Sequence, residues 1–253
     1  MKNLVLGALL AVASISAGCT SSSSGDDIGG DDGGGGGDNR VSVGVSWSFK
    51  HLADGGARSC PTGYGTAVIK AQVVDATSHR GSGTDYTDLY NCSDMAGVSK
   101  LPPGHQYLVW VEFTNDAQTN LYAQSEETYV DTGASVDPID VQILDDGGYF
   151  YFSWDLKDAT TGALLSCADA GVSSNGSVES ISTLVSDKTY FKDDKFTCED
   201  HYGTTFGLKA GAYTISVDAE DNNNPLGSAV NLSGTIKAPN VLTDLGNIVI
   251  PID

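Results

Sequence analysis

The groups able to do chemistry are few in this chain: four histidines, five cysteines and one dense acidic run. No H-E-x-x-H or G-x-S-x-G motif surrounds His51, His79, His105 or His201, so neither a two-histidine zinc helix nor a serine elbow is spelled out. Cys198-Glu199-Asp200-His201 puts four potential ligands in succession. Asp218, Glu220 and Asp221, followed by Asn222, Asn223 and Asn224, supply hard oxygens of the kind a Ca²⁺ loop uses. The same composition serves an exposed hairpin turn, so these three residues are calcium candidates beside a simpler turn reading. Gly33 to Gly37 lacks the following Lys and the strand-to-helix setting of a phosphate cradle. No catalytic residue, cofactor-binding residue or cofactor is assigned, and a non-enzymatic protein is expected.

Those groups must be held by something, and the chain writes its scaffold twice. Trp47, Cys60, Tyr90-Asn91-Cys92, Asp94, Gly97, Leu101 and Gly104 recur as Trp154, Cys167, Phe196-Thr197-Cys198, Asp200, Gly203, Leu208 and Gly211. Trp to first Cys is 13 positions in both copies, and Cys to Cys is 32 and then 31. Fixed spacing of this kind marks a duplicated unit. Two copies of about 105 residues, 41–144 and 145–253, are each large enough for a sandwich-sized domain, with Asp145-Asp146-Gly147-Gly148 as a short, stiff joint. The histidines occupy unmatched positions. Asp200 and Cys198 match Asp94 and Cys92, which reads the Cys198–His201 run as scaffold.

Period-two alternation dominates both copies. Val41, Val43, Val45, Trp47 and Phe49 share one face; Tyr107, Val109, Val111 and Phe113 share another, matched by Tyr213, Ile215, Val217 and Ala219. Alternating β-branched and aromatic residues read as half-buried strands, and many short strands between turns read as an antiparallel sandwich. Val136 to Ile143 and Gly246 to Ile250 are the expected closing strands. Leu89 to Met95 and Ile181 to Tyr190 are the segments with room for a helical turn or two. The strand Tyr149 to Leu156 carries aromatics on both faces. Packing against the preceding copy explains this, and a glycan or protein patch is the functional alternative.

The N-terminus reads as an export signal over residues 1–18, with Lys2, an apolar stretch from Leu4 to Ile15, and small residues before Cys19. Ser16-Ala17-Gly18-Cys19 resembles the lipobox of bacterial lipoproteins, although Ser16 stands where that family prefers Leu. The resemblance implies that Cys19 becomes the acylated N-terminus, carrying palmitate-type chains; several chains give stable anchoring. Thr20 lacks the Asp that retains enterobacterial lipoproteins in the inner membrane, which favours the outer membrane. Residues 19–40 form an acidic Gly/Ser/Asp tether that cannot build a core, with a reach of roughly 25 Å.

Lipidation of Cys19 leaves four cysteines, and the duplication pairs Cys60 with Cys92 and Cys167 with Cys198. Each loop of about 33 residues predicts roughly 3.5–4 kcal/mol of stabilisation by chain entropy, and export makes disulfides reasonable. A four-thiolate zinc site is the alternative, but no C-x-x-C pair occurs. A net charge of −20 lacks the basic footprint nucleic acid needs.

Each copy ends in a second resemblance. Asp94-x-x-Gly97 with Leu101-Pro102-Pro103-Gly104-x-x-Tyr107, and Asp200-x-x-Gly203 with Leu208-x-x-Gly211-x-Tyr213, are similar to the turn motif of carboxypeptidase-regulatory-like (prealbumin-like) β-sandwich domains. The preceding Cys and the extra residue before Tyr107 depart from that motif. The resemblance implies a scaffold or accessory module in which Asp and Gly shape turns and Tyr faces the core. The expectation is an all-β protein: two tandem antiparallel sandwiches, each with one internal disulfide, behind a disordered tether. Its expected role is a cell-envelope lipoprotein that binds, adheres or displays, with a protein or glycan ligand. A lipid-anchored accessory subunit of a secreted enzyme or envelope complex is the alternative, and a hydrolase comes last.

Overall fold

A computed structural model of the chain describes residues 39–239 and 242–253. The signal segment, Cys19 and all but the last two residues of the tether lie outside the described residues. No helix among the described residues is long and apolar enough to cross a membrane.

The first copy contributes β1 (Val41–Lys50), β2 (Thr66–Val74), β3 (Gly81–Asn91) and β4 (Ala96–Leu101). It continues with β5 (Gln106–Thr114), β6 (Leu121–Gln124), β7 (Thr128–Asp131) and β8 (Ile139–Leu144). One layer has the order β4-β1-β8; the other is β3-β2-β5, with β6 and β7 both pairing to β5. The second copy opens with β9 (Gly147–Gly148), β10 (Phe150–Asp158), β11 (Leu164–Leu165), β12 (Ser177–Leu184) and β13 (Phe191–Phe196). It closes with β14 (Tyr202–Thr204), β15 (Leu208–Lys209), β16 (Gly211–Asp221), β17 (Asn224–Ile236) and β18 (Thr243–Ile252). Its layers repeat the plan, β14-β10-β18 against β13-β12-β16-β17, and a single pairing of Gly227 with Ile252 links them.

Each copy has its own core. Val43, Val45, Trp47 and Phe49 of β1 meet Tyr107, Val109, Val111 and Phe113 of β5. Phe150, Phe152, Trp154 and Leu156 of β10 meet Tyr213, Ile215, Val217 and Ala219 of β16. The repeated tryptophans do the same work in both. Trp47 Nε1 donates to the Cys92 carbonyl at 3.1 Å, and Trp154 Nε1 to the Cys198 carbonyl at 3.3 Å. The disulfides Cys60–Cys92 and Cys167–Cys198 staple these points, with Cα separations of 5.9 and 6.1 Å. Gly104 at φ +75° and Gly211 at φ +152° start the strands that carry Tyr107 and Tyr213, conformations that glycine adopts without a Cβ penalty.

Two details differ from the sequence expectation. The closing strand of each copy runs parallel, not antiparallel, to the opening one: β8 beside β1 and β18 beside β10. All other pairings among the described residues are antiparallel. Alternation reports which face of a strand is buried and is silent on the direction of its neighbour. Leu89 to Met95 holds one 3₁₀ turn, Cys92–Asp94, as expected. Ile181 to Tyr190 holds no helix; its first part is strand, because Val178, Ser180, Ser182 and Leu184 point inward with period two.

Candidate functional site

The groups singled out by sequence do not converge on one centre. Cys198 is consumed by its disulfide and forms a 3₁₀ turn with Glu199 and Asp200. His201, at the left-handed position that ends this turn, stacks on His79 of the first copy instead. His105 lies 6.2 Å from the Tyr107 ring, edge-on, within the first copy.

The calcium candidates are each engaged with protein groups. Glu220 is buried, and its Oε1 lies 2.6 Å from Lys195 Nζ and 3.1 Å from Ser177 Oγ. Asp221 Oδ1 accepts from the backbone N–H and hydroxyl of Ser173, and Asp218 Oδ2 accepts from Ser216 Oγ at 3.4 Å. Among the described residues, one group of three potential metal ligands comes together: His51, Asp145 and Asp146. Here the chemistry is that of a clamp. His51 Nδ1 is 2.6 Å from Asp145 Oδ1, and Nε2 is 3.3 Å from Asp146 Oδ2. Asp145 also faces Arg58 Nε at 3.4 Å, while Asp146 accepts the Leu52 and Ala53 N–H groups. An adjacent guanidinium opposes a divalent cation, and these contacts instead pin the joint to the β1 end of the first copy.

The richest chemistry lies where the copies meet. Strand β10 is buried on both faces because even positions, Phe150 to Leu156, fill its own core while Tyr151, with Tyr149 just before the strand, turns toward the first copy. Tyr149 donates to the Gln142 carbonyl at 3.0 Å. Tyr151 lies beneath Arg80, with the guanidinium carbon 4.9 Å from its ring centroid, an arrangement in which the ring quadrupole attracts the cation. Arg80 Nη2 pairs with Asp244 Oδ2. Tyr129 stacks on Tyr202 at 5.7 Å, and Thr204 Oγ1 reaches the Glu127 carbonyl at 3.5 Å. The expected packing of the two-sided strand against the first copy is therefore present.

This seam holds two hollows. One, about 420 Å³, runs between Glu126–Tyr129 and Tyr202–Gly207. The other, about 230 Å³, is walled by Arg80, Tyr151, Gln72, Leu108, Glu127 and Asp244. Glu127 borders both. Burial pushes its carboxyl up to about 7, the Asp244 charge adds to this, and Arg80 opposes it. Burial also raises Glu126, whose two oxygens accept the Gln142 N–H at 3.1 Å each. The phenols of Tyr149, Tyr151 and Tyr202 are pushed up, chiefly by desolvation. The seam holds uncharged hydroxyls, a guanidinium and a carboxyl whose proton affinity burial raises. Tyr149 and Tyr151 were visible in sequence as surplus aromatics. Arg80, Glu127 and Asp244 carried no local signal, since their partners lie in the other copy.

No protein-family model matches the chain, and no curated protein matches it. Several solved structures are similar in outline. A shaft pilin, spaA, from Lactobacillus rhamnosus GG is 12% identical over 85% of this chain and 98% of its own, with a TM-score of 0.28. A single B repeat unit of the collagen binding surface protein of Staphylococcus aureus is 11% identical over 81% of this chain and 97% of its own, with a TM-score of 0.33. The fimbrial anchor protein Mfa2 from Porphyromonas gingivalis is 10% identical over 75% of this chain and 82% of its own, with a TM-score of 0.27. At these identities and TM-scores the likenesses assign nothing to this chain.

Proposed function

We propose that this chain is an exported cell-envelope lipoprotein whose two sandwich domains, 41–144 and 145–253, act as a non-enzymatic binding and display module. The observation that carries the reading is what the duplicated residues are used for. Trp47 and Trp154, the four cysteines, Gly97 and Gly203, and Tyr107 and Tyr213 all serve packing or turns. Outside that shared scaffold, Arg80, Glu127, Tyr151 and Asp244 bring polar groups together at the seam between the copies. Acylation of Cys19 fixes the location, the tether of residues 19–40 sets the reach, and the joined sandwiches present the seam. An outer-membrane position follows from the lipobox resemblance and from Thr20, and each copy is assigned to the carboxypeptidase-regulatory-like class on its turn motif.

Palmitate labelling and protease shaving of intact cells test this together. The expected result is label on the wild type, none on Cys19→Ser, and release of that variant from membranes. Loss of the second copy from shaved cells, with a periplasmic marker spared, supports outward display. Protection until lysis would place the module in the periplasm and favour an accessory subunit. Membrane retention of unlabelled Cys19→Ser would overturn the anchor.

A further inference from the structure

Tyr151 on the outer face of β10, and Tyr149 just before that strand, stand where the first copy has Gly44 and Ser42. These tyrosines are additions to the shared scaffold. Tyr149 is used by its bond to Gln142. Tyr151 is not: its residue is 4% exposed, yet its hydroxyl has no hydrogen-bond partner among the described residues. Leaving a buried hydroxyl unpaired costs about 1–3 kcal/mol, and each such group in a native fold calls for an explanation. Arg80 Nη1 is a second buried donor without a partner there, since Asp244 takes Nη2. Both residues line the 230 Å³ hollow beside Glu127, whose carboxyl has no hydrogen bond among the described residues.

Charge and size narrow the occupant. Asp244 already balances Arg80, so an anion would meet Glu127 and Asp244 with no free countercharge. A cation would offer no acceptor to the unpartnered N–H of Arg80 Nη1. A neutral group that both donates and accepts satisfies all three positions: it accepts from Arg80 Nη1, shares a proton with Tyr151 and donates to Glu127. Adjacent hydroxyls on a sugar ring have this property, and the apolar ring face suits Leu108. The hollow is smaller than the roughly 300–1,000 Å³ typical of drug-sized ligands, which fits a single ring. Glu127 also borders the larger cleft, where Tyr202 and the exposed Phe206 offer rigid aromatic faces to further rings.

We propose that the seam is a binding site for a neutral oligosaccharide, with one ring seated against Arg80, Tyr151 and Glu127 and its neighbours along Tyr202 and Phe206. The proposal rests on the non-enzymatic binding reading above and is independent of the lipid anchor.

The test titrates the full chain with glucose, mannose, galactose and N-acetylglucosamine by saturation-transfer NMR, and with their linear hexamers by calorimetry. Hexalysine and hexaglutamate serve as charged comparators. At least one hexamer is expected to bind, its monomer at least tenfold more weakly. Tyr151→Phe should weaken that hexamer about tenfold, the usual effect of one lost hydrogen bond, while its melting temperature stays equal or rises because an unpaired hydroxyl is gone. Absence of saccharide binding at millimolar concentration, unchanged hexamer affinity in Tyr151→Phe, or binding of a charged comparator alone would each overturn the site. Such failure alongside Cys19-dependent anchoring would leave the envelope-display reading standing.

Discussion

His79 of the first copy lies face to face with His201 of the second, ring centroids 4.3 Å apart and planes inclined by 15°. Both residues sit at left-handed backbone positions, φ +54° and +58°, so each imidazole is held at the end of a tight turn and aimed across the seam. Desolvation lowers the His79 pKa, the His201 charge lowers it further, and Asp155 and Asp75 oppose the shift.

That lowered pKa fixes the sign of a pH effect. Below about 6.5 the unfolded chain takes up a proton that folded His79 resists, so this contribution to stability is present above that pH. It is lost as pH falls toward the depressed folded value, and is constant below it. His79→Asn, which keeps a residue tolerant of positive φ, should lower the melting temperature most at pH 7.5. Its gap from the wild type should shrink by pH 5. A gap independent of pH would show that the stack does not titrate.

Little of this seam was legible in the sequence, whereas the sandwich was. The face of β1 from Val43 to Phe49, the matched faces of β5 and β16, and both disulfides follow from period two and from the repeat. Those signals describe what each strand buries of itself. His79 with His201, Arg80 with Asp244 and His51 with Asp145 join segments distant in sequence, and no local pattern encodes the pairing. The aromatic surplus of β10 was the one visible trace, because a strand with large apolar groups on both faces needs a second neighbour. The parallel closing strands were hidden for a related reason, since strand direction leaves no mark on alternation.

Separate cores predict separate unfolding. Cys92→Ser opens a loop whose closure is worth roughly 3.5–4 kcal/mol. Hydrogen exchange should then speed up at Val45, Trp47 and Val109 while Trp154, Ile215 and Val217 stay protected. Simultaneous loss of protection in both sets would mean that the copies fold as one unit.

Asp194 is buried on β13 and sits opposite Ser180 in the β12 ladder. Its Oδ1 accepts the Phe206 N–H at 3.0 Å, but its Oδ2 and the Ser180 and Ser182 hydroxyls have no partners among the described residues. Burial pushes its carboxyl up to about 6 from an ordinary 3.8, with Asp193 adding and the Phe206 bond opposing. A raised carboxyl destabilises the fold once it ionises, so the penalty is full above pH 6 and gone below 3.8. Asp194→Asn should therefore stabilise the protein at pH 7.5 by on the order of 2–3 kcal/mol, with no gain near pH 4. Urea midpoints at the two pH values check this; equal gains at both would refute the ionised-state penalty.

The two copies also differ at one matched contact, and the difference predicts unequal tolerance of the same substitution. A Cβ added at Gly97 would lie 2.5 Å from Tyr90 Cε2 and 2.8 Å from Ile69 Cδ1; at Gly203 it would lie 2.7 Å from Phe196 Cδ1. Tyr90 cannot yield easily. Its hydroxyl donates to the Val98 carbonyl at 2.7 Å and accepts the Val98 N–H at 2.9 Å, which also occupies the outward backbone groups of edge strand β4. Phe196 has no hydroxyl and so no such tether. Gly97→Ala should then cost more than Gly203→Ala, within the roughly 1–3 kcal/mol range of overpacked cores. In the Tyr90→Phe background, where the ring is freed, the extra cost at Gly97 should shrink toward that at Gly203. Denaturation of the two single variants and the Gly97→Ala/Tyr90→Phe double variant measures the coupling. Additive effects at Gly97 and Tyr90 would place the strain on Ile69 instead.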